Sequence, residues 1–135
     1  MSFFKLNVRT QSKTGFINIT TMVQGALRSS GVTDGICVVY IPHTTAGVTI
    51  NEAADPAVVK DMLAVLNKII PFHDNYAHME GNSAAHIKTS LMGPSVQIPV
   101  EQGRLCLGTW QGIFFCEFDG PRSRSAIVKI IGNSE

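Results

Sequence analysis

The first twenty residues carry the two-residue alternation of a half-buried strand. Phe4, Leu6 and Val8 alternate with charged or polar residues, so their side chains lie on one face of an extended segment. A polar stretch follows, and Ile17 and Ile19 indicate a second strand. This pattern predicts a hairpin in which the second strand returns alongside the first.

The next segment has the spacing of a short helix. Thr21 and Gln24 stand three residues apart, as in a capping box, and apolar residues follow at helical spacing. Gly31 provides a helix stop, because glycine readily adopts the left-handed conformation found after helix ends.

Two later segments also predict helices. Asp55 as N-cap and Pro56 in the first turn precede an apolar stripe at helical spacing that ends before Pro71. Asn82 is a second candidate N-cap, for a helix that runs to about Leu91.

Extended segments account for most of the remaining chain. Gly35 to Ile41 is apolar on both faces and predicts an interior strand, whereas Pro99 places the strand around it at an edge or facing outward. Further strands are predicted at Val48 and Ile50, Val96 to Val100, Leu105 and Leu107, Ile113 to Phe118, and Ala126 to Ile131. We therefore expect one α+β domain over residues 1–135, with mainly antiparallel sheet or sandwich and two to three helices.

Composition narrows the class of function. Hydrophobic residues make up 44% of the chain and charged residues only 16%, which argues against disorder. The formal net charge of +1 disfavours charge-driven binding of nucleic acid. With so few charges to cover the surface, we expect a homo-oligomer.

The cysteines and the apolar segments indicate the compartment of the cell in which the protein is expected. Cys37, Cys106 and Cys116 lack CxxC spacing and are predicted to be small buried hydrophobic residues. No signal peptide and no membrane-spanning apolar stretch is evident. The expected compartment is the cytoplasm, without membrane association.

Three histidines are candidates for chemistry. His43 directly follows a buried strand, where side chains often project into clefts, although a structural histidine is an equal alternative. His78 and Glu80 would leave an extended loop on the same side, unless they are simply a solvated pair. His86 lies near the positive end of a helix dipole, which favours a neutral imidazole and a nearby anion.

Hydroxyl, amide and carboxylate side chains flank the predicted strand at Val48 and Ile50. Thr44 and Thr45 offer donors to an oxyanion, and Asn51 and Glu52 could bind or act as a base. Asp55 is most simply an N-cap.

Two C-terminal segments supply the remaining candidate site residues. The turn at Gly108–Gly112 holds Trp110 and Gln111 between strands, as a wall for a planar ring or as a hairpin corner with a core tryptophan. Arg122 and Arg124 suit a phosphate or pyrophosphate, with a solvated turn as the alternative. The chain has no GxGxxG, Walker A or nucleophile-elbow pattern. The sequence therefore excludes a dinucleotide-binding site, a P-loop and a serine-hydrolase site of those types.

These motifs occur together in one known family. In chain order they are HTTA at 43–46, NEAADP at 51–56, HIK at 86–88 and GTWQG at 108–112. With them, the chain resembles the YjbQ-like family, also labelled secondary thiamine-phosphate synthase, over essentially its full length.

The resemblance implies an α+β trimer with a histidine-lined cleft near the subunit boundary that binds an anion or a divalent metal, zinc-like or Mg²⁺. The implied metal ligands are His43, His78 and His86, and the implied catalytic residues are Glu52, Glu80 and His86. The implied substrate-binding residues are Thr44, Thr45, Asn51, Asp55, Lys88, Trp110, Gln111, Arg122 and Arg124.

The activity implied by the resemblance joins hydroxymethylpyrimidine diphosphate to a thiazole phosphate, which makes thiamine phosphate and releases pyrophosphate. Such chemistry requires neutralisation of the departing diphosphate and a wall beside the pyrimidine ring. One alternative is a non-catalytic trimer that binds a metal or a small phosphorylated metabolite. In another, the histidines are structural groups at the trimer interface.

Overall fold

Strands dominate the computed structural model of the chain, which describes residues 3–133. In chain order the elements are β1 (Phe3–Arg9), β2 (Gly15–Asn18), α1 (Thr20–Ser30), β3 (Asp34–Tyr40), β4 (Ala46–Glu52), α2 (Pro56–Ile69), α3 (Ser83–Met92), β5 (Ser95–Glu101), β6 (Arg104–Leu105), β7 (Gln111–Glu117) and β8 (Ser123–Gly132). The helices and strands confirm the predicted α+β class.

The strands form two antiparallel sheets. One has five strands in the order β1-β8-β3-β5-β6, and the other has three in the order β2-β7-β4. The predicted interior strand is β3, which is hydrogen-bonded to β8 on one side and β5 on the other. Pro99 is exposed on β5, whose outer neighbour is only the two-residue β6, so its predicted position is confirmed.

The predicted N-terminal hairpin is wrong. β1 pairs with β8, whereas β2 lies in the other sheet and pairs with β7, with Phe16 opposite Cys116. The polar stretch between β1 and β2 carries the chain from one sheet to the other. Alternation of apolar residues fixes the face that a strand buries, but it does not identify the strand beside it.

The main core lies between the two sheets. Val39 and Val128 of the five-stranded sheet and Val48 and Phe115 of the three-stranded sheet are fully buried there, together with Leu27 of α1. Burial of each such side chain contributes about 1.5–3 kcal/mol to stability. The sandwich is therefore held mainly by apolar side chains that face inward from both sheets.

Helices α2 and α3 cover the other face of the three-stranded sheet. Cys116 and Phe118 are buried there with Ala85 of α3, and Leu66 of α2 packs against them. No residue inside α2 is buried, and Ile69 at its C-terminal end is 63% exposed. No helix within residues 3–133 is long and apolar enough to span a membrane.

The ends of α1 and α2 confirm two of the predicted signals. Gly31 follows α1 with a φ of 74°, the left-handed conformation expected of a glycine at this position. Asp55 precedes α2, and its side chain accepts a hydrogen bond from the backbone N–H of Ala57 at 2.9 Å.

The predicted capping box at Thr21 and Gln24 is wrong. The N-cap position is Ile19 rather than Thr21, so the helix begins two residues earlier than predicted, at Thr20. The backbone N–H and hydroxyl of Thr20 both donate to Asn18 Oδ1, at 3.0 and 2.6 Å. Gln24 instead donates to the carbonyl of Gly103 at 3.2 Å. The side chain of Asn18, just before the helix, thus caps its N-terminus in place of Thr21 and Gln24.

The cysteines divide into two groups. Cys37 and Cys116 are fully buried as predicted, and burial raises the pKa of the Cys37 thiol to about 11. Cys106 is exposed, so its predicted burial is wrong. It follows the short edge strand β6, beyond which the sheet has no further strand among residues 3–133.

A buried ion pair joins the two sheets at one end of the sandwich. Glu117 of β7 and Arg124 of β8 occupy inward-facing positions, and their side chains are 1% and 5% exposed. Arg124 Nε donates to Glu117 Oε1 at 2.8 Å, and Nη2 donates to Oε2. Oε1 also accepts from the Thr10 hydroxyl at 2.7 Å, and Oε2 from the backbone N–H of Asp119 at 3.0 Å.

Removal of one partner of this pair should destabilise the fold more than removal of both. Arg124→Met leaves the Glu117 carboxylate buried without its charge partner, which costs about 3–5 kcal/mol. A double variant that also carries Glu117→Met replaces both charges by apolar groups and should lose less free energy of unfolding. Urea denaturation measures both values. An Arg124→Met loss below about 1 kcal/mol would contradict the account.

The pair should also make stability depend on acid pH. Burial raises the pKa of Glu117, but hydrogen bonds from Arg124, Asp119 and Thr10 outweigh it and hold that pKa below its usual value. The carboxylate therefore stabilises the fold above about pH 4.3, the ordinary value, and this stabilisation is lost as the pH falls through the folded pKa.

Comparison with Glu117→Gln tests that dependence. The difference in unfolding free energy between the two proteins should be largest near neutral pH and should shrink below about pH 4. Urea titrations across this range measure it. A difference that stays constant with pH would contradict a depressed pKa.

Candidate functional site

The end of the sandwich that holds the Glu117–Arg124 pair opens into a cavity of about 340 Å³. We call it the His43 cavity. Its walls are Pro42, His43, Thr44, Thr45, Glu80, Asn82, His86, Arg122 and Arg124. Seven of these nine are residues that the resemblance assigned to the site. The fold thus brings together the predicted histidines 43 and 86, Glu80, both arginines and both threonines.

Three connections place these side chains. Residues 41–45 link β3 to β4, residues 118–122 link β7 to β8, and the loop after α2 leads into α3. The first two are joined by a hydrogen bond from the backbone N–H of Phe118 to the carbonyl of Thr45 at 3.2 Å. Pairing of β4 with β7, with Ala46 opposite Glu117, holds both connections at the same end of the sheet.

Arg124 is fixed in the cavity wall. Besides its bonds to Glu117, Nη2 donates to the Thr45 hydroxyl at 2.9 Å and lies 3.3 Å from the Thr45 carbonyl. Within residues 3–133, Nη1 has no hydrogen-bond partner. The guanidinium is therefore held from behind and keeps one amino group for a ligand.

Arg122 is anchored by a different carboxylate. Its Nε donates to the Asp119 carbonyl at 2.8 Å, and its Nη2 donates to Asp119 Oδ2 at 3.0 Å. Burial raises the pKa of Asp119, but hydrogen bonds from Asn82, Lys13 and Arg122 hold it below the ordinary value. Because the Arg122 side chain is 52% exposed, its guanidinium remains accessible.

His43 is a neutral hydrogen-bond donor. Its Nε2 accepts the backbone N–H of Ser125 at 3.0 Å, so the ring proton is carried by Nδ1. Burial lowers the pKa of His43, and the positive charge of Arg124 lowers it further. An imidazole with its acceptor nitrogen occupied can offer an N–H to an anion.

His78, Glu80 and His86 form a second group at the cavity rim. His78 Nε2 lies 3.2 Å from Glu80 Oε1, and the rings of His78 and His86 meet edge to face with centroids 5.3 Å apart. The loop pair predicted at His78 and Glu80 is thus present. In the described part of the chain, neither ring nitrogen of His86 has a hydrogen-bond partner, so both are available to a ligand.

The side chains do not form the three-histidine metal site that the resemblance implies. Among the described residues, no three His, Cys, Asp or Glu side chains converge closely enough to hold a metal ion. The lone pair of His43 Nε2 is already engaged by Ser125. His43, His78 and His86 are therefore not arranged as ligands of one ion in this structure, and participation of a zinc-like metal or Mg²⁺ in the function stays a prediction.

Four of the residues assigned to the site lie at the opposite end of the three-stranded sheet. Asn51 and Glu52 end β4, where they pair with Gly112 and Gln111, roughly 20 Å along the strand from Thr45. Trp110 is 64% exposed there, and Gln111 Oε1 accepts the backbone N–H of Gly108 at 2.8 Å. The fold does not bring Asn51, Glu52, Trp110 or Gln111 to the His43 cavity.

Asp55 and Lys88 also lie outside the cavity. Asp55 caps α2. Lys88 is 2% exposed between α3 and α2, where Nζ donates to Asn67 Oδ1 at 2.6 Å and burial lowers its pKa. Its neighbour His86 faces the cavity because it lies two residues away on the helix, on a different side.

Sequence reasoning missed the roles of Asn82 and Asp119. Asn82 stands at the N-cap position of α3 but makes no side-chain capping bond, and its amide N–H donates to Asp119 Oδ2 at 2.9 Å instead. Its Oδ1 is buried without a partner in residues 3–133. The available signal was the acidic pair Glu117 and Asp119 at the end of an otherwise apolar strand, where burial requires partners.

Comparison with known proteins identifies relatives across the whole domain. A family model described as UPF0047 protein YjbQ-like matches residues 4–133. A UPF0047 protein of Methanocaldococcus jannaschii is 52% identical over 130 residues, which are 96% of this chain and 94% of that protein.

Solved structures agree with this relationship. An uncharacterised yjbq/upf0047 family protein of Clostridium acetobutylicum is 56% identical, with a TM-score of 0.93 over 95% of this chain and 99% of that one. A hypothetical protein of Aeropyrum pernix is 36% identical, with a TM-score of 0.94 over 98% and 100%. The chain belongs to the YjbQ-like UPF0047 family.

Proposed function

We propose that the His43 cavity binds the phosphate or diphosphate group of a small phosphorylated molecule, and that the chain is a transferase of the thiamine-phosphate synthase type. The observation that carries this proposal is the convergence of Arg122, Arg124 and the His43 N–H on one cavity. The hydroxyls of Thr44 and Thr45 add polar groups to the same wall.

The arginines are arranged as phosphate-binding groups. Guanidinium presents a planar set of donors that matches phosphate oxygens, and here both guanidiniums are oriented by carboxylates that lie behind them. Because Glu117 and Asp119 hold the arginines before a ligand arrives, little side-chain entropy is lost on binding.

The remaining groups of the wall are compatible with an anion. Glu80 is the one acidic residue among the cavity residues, and its carboxylate is 78% exposed and contacts His78. The first residues of α3 follow Asn82 directly, so the positive end of that helix dipole also faces this region.

The proposed reaction assigns a task to each group. The bond between the pyrimidine methylene carbon and the diphosphate oxygen breaks, and its electron pair leaves with the diphosphate. The thiazole nitrogen then donates its lone pair to that carbon and forms the new C–N bond. Arg122, Arg124 and His43 would stabilise the departing charge, and His86 would donate a proton to the leaving oxygen.

The homotrimer implied by the resemblance is part of the proposal. Large apolar side chains on the five-stranded sheet support it, because Phe3, Ile36, Tyr40 and Ile131 are each about half exposed. Such a surface is typical of an interface between subunits.

Pyrophosphate binding tests the cavity. Arg122→Gln should weaken the affinity about tenfold in calorimetry, because it removes a charge-assisted contact. Lys13 and Asn82 would still hold Asp119, so the fold should persist. Arg28→Gln is the matched control, since it removes the same charge from the exposed end of α1. Equal affinities for the two variants would contradict the proposal.

Turnover tests the reaction. With hydroxymethylpyrimidine diphosphate and thiazole phosphate, the protein should release one pyrophosphate per thiamine phosphate formed. His86→Ala should lower the rate by about 10²-fold, because it removes the proposed acid. His73→Ala is the control, since His73 is exposed and lies outside the cavity.

Two results would overturn the assignment of this reaction. Full turnover by His86→Ala would exclude the proposed acid. Tight pyrophosphate binding without any product would indicate a non-catalytic phosphometabolite-binding protein instead.

A further inference from the structure

A second cavity adjoins the His43 cavity. Its volume is about 400 Å³, and its walls are Tyr76, Ala77, His78, Ser83, His86 and Ile87. His86 belongs to the walls of both cavities. A molecule that extends from one cavity into the other would therefore pass beside the free ring nitrogens of His86.

The walls of this second cavity are flat and largely apolar. The Tyr76 hydroxyl donates to the Pro71 carbonyl at 2.6 Å, which fixes the tyrosine ring. His78 is held by Glu80, and it meets His86 at an interplanar angle of 90°. Ile87 adds an aliphatic side chain that is 40% exposed. Aromatic walls of this kind favour a planar ring that stacks or packs edge to face.

We infer that the second cavity holds an aromatic ring of the same molecule whose phosphate occupies the His43 cavity. This inference rests on the proposed function and adds the place where the ring of such an aryl-methyl phosphate or diphosphate is bound. Since His86 separates the two cavities, the bond between ring and phosphate lies beside its imidazole. The ring wall is thus formed by Tyr76 and His78 rather than by Trp110.

The polar groups of the second cavity are few. Within residues 3–133, neither Ser83 Oγ nor His78 Nδ1 has a hydrogen-bond partner, whereas His78 Nε2 contacts Glu80. Both atoms lie among the cavity residues and can receive or donate a hydrogen bond at the rim of a ring. A heteroaromatic ring can use these contacts, whereas a simple phenyl ring cannot.

Three phosphate monoesters separate the two cavities by calorimetry. Methyl phosphate reports on the His43 cavity alone, benzyl phosphate adds a flat ring, and cyclohexylmethyl phosphate adds a ring of similar size that is not flat. We expect benzyl phosphate to bind about tenfold more tightly than methyl phosphate and several-fold more tightly than the cyclohexyl ester.

Variants then show which residues give benzyl phosphate its higher affinity. Ile87→Ala and Tyr76→Leu should each reduce the advantage of benzyl phosphate about threefold while leaving methyl phosphate unchanged. Leu91→Ala is the matched control, because Leu91 is an exposed residue of the same helix outside the cavity. An unchanged affinity for methyl phosphate also shows that each variant is folded.

The outcomes distinguish this inference from the proposed function. If methyl phosphate does not bind at all, the phosphate-binding function itself is wrong. If methyl phosphate binds but benzyl phosphate binds no more tightly, the ring site is wrong and the phosphate site stands. Equal affinities for the benzyl and cyclohexylmethyl esters, or an equal loss in Leu91→Ala, would also overturn the ring site.

Discussion

The ion pair between Glu117 and Arg124 is the interaction on which both the fold and the site depend. Each charge occupies a position that would otherwise face the apolar core, so neither is tolerated without the other. The pair joins a strand of one sheet to a strand of the other and also hydrogen-bonds Thr10 and Thr45. It thereby fixes the connections that carry His43, Arg122 and the rest of the cavity wall.

Local signals predicted the elements better than their arrangement. Asp55 and Pro56 predicted the start of α2, because capping is a contact between neighbours in the chain. The hairpin at residues 4–19 failed because strand pairing is decided by distant segments, here β7 and β8. The same limit applies to Gln24, which bonds Gly103 across 79 residues instead of capping its own helix.

The candidate site shows the same difference between local signals and contacts of distant segments. The residue types predicted an anion-binding cluster, and the fold does bring His43 and His86 to one cavity from segments 43 residues apart. Glu52 and Trp110 lie elsewhere because β4 and β7 are antiparallel and seven residues long, so their two ends are far apart. His43 Nε2 is occupied because it accepts the backbone N–H of Ser125 on β8. No local sequence pattern could have indicated this contact.

A crystal structure of the protein with pyrophosphate tests the central claim most directly. We expect phosphate oxygens within hydrogen-bond distance, about 3 Å, of Arg122, Arg124 Nη1 and His43 Nδ1. His86 should then contact the bridging or terminal oxygen nearest the second cavity. Pyrophosphate bound elsewhere, for example at the Gly108–Gly112 turn, with the His43 cavity holding only water, would contradict it.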